Sequence, residues 1–161
     1  MDKKKILFVC IGNICRSPLA EGIMLHYVQE KQLPLIVDSA AIESYHIGEH
    51  PDRRTIQNAI KHNFDISHLV ARQFKVKDFD EFDKIYVMDS SHYNYLRRLA
   101  PDKNIFQQKI DYLMNIVYPG QNIEIPDPYY GTEEDFETVF QMIHSACQKL
   151  VENYSIEKIK E

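Results

Sequence analysis

Two hydrophobic rhythms alternate along this chain. Ile6, Leu7, Phe8 and Val9 form an unbroken apolar run that ends at Cys10, the pattern of a strand covered on both faces. After a short gap, Leu19, Ile23, Met24, Tyr27 and Val28 recur at helical spacing. Ser17 is placed to cap that helix, with Pro18 at its first position. Leu35–Ala41 reads as a second buried strand and Lys84–Met88 as a third. Helices are predicted over Asp52–His62 and Ser90–Ala100, the latter stopped by Pro101. Ile110–Val117 has room for a fourth short strand, although its apolar residues fit either period. Residues 119–131 carry three prolines and two glycines and read as a loop. Beyond them Phe136, Val139, Phe140, Ile143, Cys147 and Leu150 mark one face of a long closing helix.

Strands that alternate with helices point to an α/β fold with a parallel sheet, in a single domain over residues 1–161. Ligands of such sheets bind beyond the carboxyl ends of the strands, which is where Cys10 stands. Composition refines this picture only slightly. An apolar content of 44% and a charged content of 27% are ordinary for a globular chain. A net charge of −5, with no basic stripe, argues against nucleic acid as a partner. Lys3, Lys4 and Lys5 precede an apolar run, but Gly12, Asn13 and Arg16 interrupt it well short of a signal peptide. No segment is long enough to cross a membrane. The three cysteines, an odd number, read as reduced thiols in a cytoplasmic protein.

The richest chemistry lies in VCIGNICRSP, residues 9–18. A thiol at a strand end faces a short curl (Ile11, Gly12, Asn13, Ile14, Cys15) that leads to Arg16, Ser17 and a helix N-terminus. Such a curl presents backbone N–H groups to a phosphate-sized anion and favours thiolate over thiol. Gly12 supplies backbone freedom, and Asn13 tolerates a left-handed conformation. Zinc is disfavoured because no second ligand pair follows Cys10 and Cys15, and the run lacks the motifs of nucleotide-binding loops. Asp127 sits between Pro126 and Pro128 and is followed by Tyr129 and Tyr130. That stretch is either a stiff presentation of a carboxyl and two phenols or a proline-rich turn with exposed aromatics.

VCIGNICRSP and DPYYG together resemble the low-molecular-weight protein tyrosine phosphatase family. DSAA (38–41), IGEHPD (47–52), HLVARQF (68–74), FDKIYVMD (82–89) and DFETVF (135–140) resemble family segments in the same order. Only the residues from about Asn153 extend past the usual end. The resemblance implies a four-stranded parallel sheet flanked by helices on both faces, a flavodoxin-like phosphatase fold. It implies hydrolysis of phosphotyrosine in proteins or peptides, with inorganic phosphate as product and inhibitor, and no metal, cofactor, nucleic acid or membrane. Cys10 is then the nucleophile, Arg16 the phosphate clamp and Asp127 the general acid and then base. Residues 11–15 and Ser17 form the phosphate loop, and Ser17 steadies the thiolate. Asn13 holds the loop through Ser39 and His68. Tyr129 and Tyr130 wall the cleft, with Tyr45 opposite, where many relatives carry tryptophan; this chain has none. The other histidines read as surface residues, and Glu49, Arg53 and Arg54 as solvated charges that could reach the rim.

Two rivals keep the fold and change the substrate, and a third belongs to another class. Arginine phosphatases of this family tend to carry threonine where Ile14 stands. Arsenate reductases on the same fold need a mid-chain cysteine pair, and this chain has no cysteine between Cys15 and Cys147. A phosphopeptide-binding module would have lost catalysis, yet Cys10, Arg16 and Asp127 are all present. Cys15 either resolves an oxidised Cys10 or simply packs in the loop.

Overall fold

The computed structural model describes residues 2–160. Strands β1 (Lys4–Cys10), β2 (Leu35–Ala41), β3 (Lys84–Val87) and β4 (Ile110–Tyr112) form one parallel sheet in the order β2-β1-β3-β4. Helices α1 (Arg16–Lys31), α2 (Arg53–Lys61), α3 (Asp78–Glu81), α4 (Ser90–Leu99), α5 (Lys103–Lys109) and α6 (Glu133–Lys160) complete the chain. The side chains of β1 explain its unbroken apolar run. Ile6, Phe8 and Cys10 pack with Leu19 and Ile23 of α1 and Phe140 and Ile143 of α6. Leu7 and Val9 point the other way, towards Phe79, Leu96 and Phe106 of α3, α4 and α5. Successive residues of a strand face opposite sides, so a central strand covered twice has no polar face to show.

Several boundaries differ from the sequence reading. Helix α1 begins at Arg16 with Cys15 as its cap residue, so Ser17 and Pro18 fall inside the first turn. The Ser17 hydroxyl is engaged by Cys10 and Asn13 instead of capping the helix. Pro18 remains harmless, because N–H groups of a first turn have no intrahelical acceptor. Only Ile110–Tyr112 of the ambiguous segment is strand; Leu113–Ile116 forms a 3-10 turn. Helices α3 and α5 escaped the sequence reading because they are short. Asp52, Asp89 and Asp102 cap α2, α4 and α5 through their side chains.

Residues 154–160, past Asn153, continue α6. There Lys158 Nζ bonds the carbonyls of Lys31 and Gln32, at 3.2 and 3.0 Å, closing the carboxyl end of α1. Among the described residues, no helix is long and apolar enough to cross a membrane. The chain runs from β1 to β2 on one side and crosses to β3 on the other. That reversal opens a crevice between the ends of β1 and β3, the place where open α/β sheets bind ligands.

Candidate active site

Cys10 closes β1 and is 2% exposed. Its Sγ lies 2.9 Å from Ser17 Oγ and accepts the Ser17 N–H at 3.4 Å. The carbonyls of Cys10, Ile11 and Ile14 turn outward to the N–H groups of Ile42, Glu43 and Asp52, at 3.0, 2.9 and 2.8 Å. Among the described residues, the N–H groups of residues 11–15 find no acceptor in the protein. They form a concave set of free donors at the head of α1, which is suited to a dianion.

Asn13 has φ of 58°, the left-handed conformation the curl requires. Its Nδ2 donates to Ser17 Oγ at 2.7 Å and Ser39 Oγ at 2.8 Å, while its Oδ1 accepts the Arg72 N–H at 3.1 Å. Because Ser17 Oγ accepts from Asn13, its own proton can point at the sulfur and stabilise negative charge there. Ser39 in turn donates to Glu21. Burial pushes the Glu21 carboxyl up to about 7, only partly opposed by that bond. His68 is exposed and takes no part in this chain of bonds. The contact expected of it is made instead by the main chain of Arg72, which Asp38 and the buried Asp78 hold at 2.9 and 3.0 Å.

Gly12 also serves a purpose other than the one expected. Its φ is not positive. The need is for space, since a Cβ there would lie 3.1 Å from His46 Cδ2. Cys15 packs with Ile14, Ala71 and Phe136. Burial pushes its thiol up to about 12, and the neighbouring Thr55 hydroxyl opposes this only in part.

The Arg16 side chain is 2% exposed and enters the crevice from the first turn of α1. Its Nη1 bonds Asp89 Oδ2 at 2.9 Å and the Ile125 carbonyl at 2.8 Å. Nη2 lies 3.4 Å from His92 Nε2 and 3.8 Å from Asp127 Oδ2. Burial works to raise the Asp89 carboxyl, but Ser91, His92 and Arg16 outweigh it and bring it down to about 2. Asp127 is half-exposed, with Oδ1 accepting the Tyr129 N–H at 3.1 Å. Tyr129 is held edge-to-face against Tyr130, centroids 4.9 Å apart, with the Arg54 guanidinium 5.4 Å from its ring and the His46 ring at 6.4 Å. Tyr130 and Tyr45 project into solvent, 96% and 76% exposed.

A thiol in an anion cradle, a fixed guanidinium and a proline-braced carboxyl thus meet in one crevice. The family description "Low molecular weight phosphotyrosine protein phosphatase" matches residues 5–161. This chain belongs to that family. The human low molecular weight phosphotyrosine protein phosphatase is 40% identical over 151 residues, 92% of this chain and 94% of its own. The crystal structure of YfkJ from Bacillus subtilis aligns with a TM-score of 0.87 at 36% identity, covering 100% of this chain and 99% of that one. That of a Drosophila arginine phosphatase aligns at 0.84 and 32% identity, covering 93% and 97%.

Within this phosphatase family member, the expected loop residues, Ser39, Arg16 and Asp127 do converge. His68 does not, and Tyr45 stands apart as an exposed ring. Arg54 does reach the rim, over Tyr129 and Phe136. Sequence reasoning missed Asp89, His92, Glu21, His46 and the Ile125 carbonyl. Asp89 carried a usable signal: it lies two residues past β3, at the reversal of strand order. His92, expected at the surface, is 1% exposed.

Proposed function

We propose that this protein hydrolyses phosphotyrosine in proteins or peptides through a cysteinyl-phosphate intermediate on Cys10. The observation that carries this reading is the approach of Arg16 and Asp127, 3.8 Å apart, over the loop that holds the Cys10 sulfur. The thiolate attacks phosphorus and forms a P–S bond as the P–O bond to the phenol breaks. Protonated Asp127 gives its proton to the departing phenolate. Water then attacks the phosphorus, Asp127 takes one of its protons, and the P–S bond breaks to return thiolate and inorganic phosphate. The loop N–H groups and the Arg16 fork hold the three equatorial oxygens on which charge spreads.

This division of labour follows from magnitudes. An ordinary thiol is only about 3% ionised at neutral pH, so complete ionisation contributes roughly thirty-fold. Phosphate-ester hydrolysis demands far more, and the preorganised cradle is the larger contributor. Guanidinium and backbone dipoles supply the positive field, so no step here is routed through a metal or cofactor. Free phosphate fits the same cradle, which makes it a competitive product inhibitor. Three free cysteines suit a reducing cytoplasmic location.

Phosphoarginine is the second reading, prompted by the Drosophila arginine phosphatase among the similar structures. The half-buried Tyr129 ring and Ile14 in the loop favour the phenyl ester. The deciding measurement is turnover of matched phosphotyrosine and phosphoarginine peptides by wild type and Cys10→Ser. Wild type should prefer phosphotyrosine, and Cys10→Ser should lose turnover while still binding vanadate. Appreciable turnover by Cys10→Ser sinks the covalent mechanism; a preference for phosphoarginine reassigns the substrate.

A further inference from the structure

Among the charged and titratable groups at the crevice, His92 has no part in the mechanism above, yet it is 1% exposed and lies against Arg16. A guanidinium can only donate, so His92 Nε2, at 3.4 Å from Arg16 Nη2, must accept. That places the imidazole proton on Nδ1, which lies 3.6 Å from Asp89 Oδ1 and has no hydrogen-bond partner. Arg16 is therefore held unequally. Nη1 has two firm acceptors, Asp89 and the Ile125 carbonyl, whereas Nη2 has the imidazole and, farther off, Asp127.

We propose that His92 is a positioning residue that aims the Nη2 arm of Arg16 at the phosphate. This rests on Arg16 being the phosphate clamp. The chemistry of the group fits the task. A carboxylate in place of His92, added to Asp89 and Asp127, would compete with the substrate dianion, and a cation would repel the guanidinium. A neutral imidazole directs one N–H without altering the charge of the site. Burial and the Arg16 charge hold His92 neutral down to about pH 4, against the opposing pull of Asp89 at the head of α4 and of Asp127 and Glu124 in the loop before α6.

The test compares His92→Gln, whose side-chain oxygen reaches the Nε2 position, with His92→Asn, which reaches only that of Nδ1. Arg16→Lys and thermal melting serve as controls. With an aryl phosphate, His92→Asn should lower kcat/KM and weaken inhibition by inorganic phosphate, each about ten-fold, the scale of one lost charge-assisted bond. His92→Gln should stay within about three-fold of wild type. Equal behaviour of the two folded variants, whether both active or both impaired, overturns the proposal. If His92→Asn does not fold, His92→Phe replaces it, with the same loss expected and unchanged phosphate inhibition as the overturning result. Nitrogen NMR on the wild-type protein adds an independent reading: His92 should show the Nδ1–H tautomer at neutral pH, and Nε2–H would refute the assignment. Should Arg16→Lys leave turnover and phosphate inhibition intact, the clamp itself fails, an outcome separable from failure at His92.

Discussion

Asp127 owes its place to the prolines on either side, which stiffen a loop that would otherwise let a half-exposed carboxyl wander. Its removal should show in the leaving group. Asp127→Ala is expected to slow aryl phosphates with basic phenols by about 10²–10⁴-fold and activated ones much less. A flat response across a leaving-group series would rule Asp127 out as the acid. Cys15 shows the opposite environment, a thiol that burial keeps protonated. A protonated thiol is a poor nucleophile towards sulfenic acid. Wild type and Cys15→Ser should therefore recover from peroxide to similar extents on thiol addition; a clear deficit in the variant would assign Cys15 a protective role.

Glu21 adds a pH dependence at the same scale. Burial lifts its carboxyl from 4.5 to about 7 in the folded protein. Between those values the folded state binds more protons than the unfolded one, so this group's contribution to stability falls as pH rises through the window. Glu21→Gln should be more stable than wild type at pH 8, by on the order of 1–3 kcal/mol, and nearly equal to it at pH 4. Denaturant midpoints at the two pH values decide it. A gain confined to pH 4 would contradict the assignment.

At the scale of elements, α1 joins the loop of residues 11–15 to the core, and its position depends on one close approach. A Cβ on Gly22 would come 2.2 Å from Ile66 Cγ2, far inside contact distance. Helix propensity alone favours alanine there by about 1 kcal/mol. The clash should win, since overpacking costs about 1–3 kcal/mol. Gly22→Ala is thus expected to lower the melting temperature despite improving the helix, and to raise KM because α1 carries Arg16 at its head. A stabilised variant would show that the segment around Ile66 gives way easily.

Across the whole molecule the crevice is assembled from four distant stretches: the loop after β1, residues 46–54, residues 89–92, and residues 124–130. Tyr129 is a braced ring at its rim, packed between Arg54, Tyr130 and His46. Under the proposed function the phosphotyrosine ring lies along Tyr129 with phosphorus at Cys10, a span for which phosphoserine is too short. Phosphotyrosine peptides should exceed phosphoserine peptides in kcat/KM by at least about 10²-fold, from aromatic contact and correct positioning together. Comparable values would remove Tyr129 from substrate recognition.

Much of this was legible in the chain itself. The apolar run of β1 announced a buried strand because covering both faces leaves no room for a polar residue, and the carboxyl end of that strand located Cys10. Asn13 was readable because few side chains accept its backbone conformation, and Arg16 because six residues from Cys10 span one loop and the start of one helix. Local pattern carries that information, since each of these features is settled by neighbours in sequence. His68 and His92 mark where such reasoning stops. Both are polar side chains in short segments, yet one is exposed and the other is 1% exposed against a guanidinium. Their environments depend on how β3, α4 and the loop before α6 converge on α1. Only tertiary structure makes that decision, because a hydrogen bond across 76 residues, such as that of Arg16 to His92, leaves no periodic trace in the sequence.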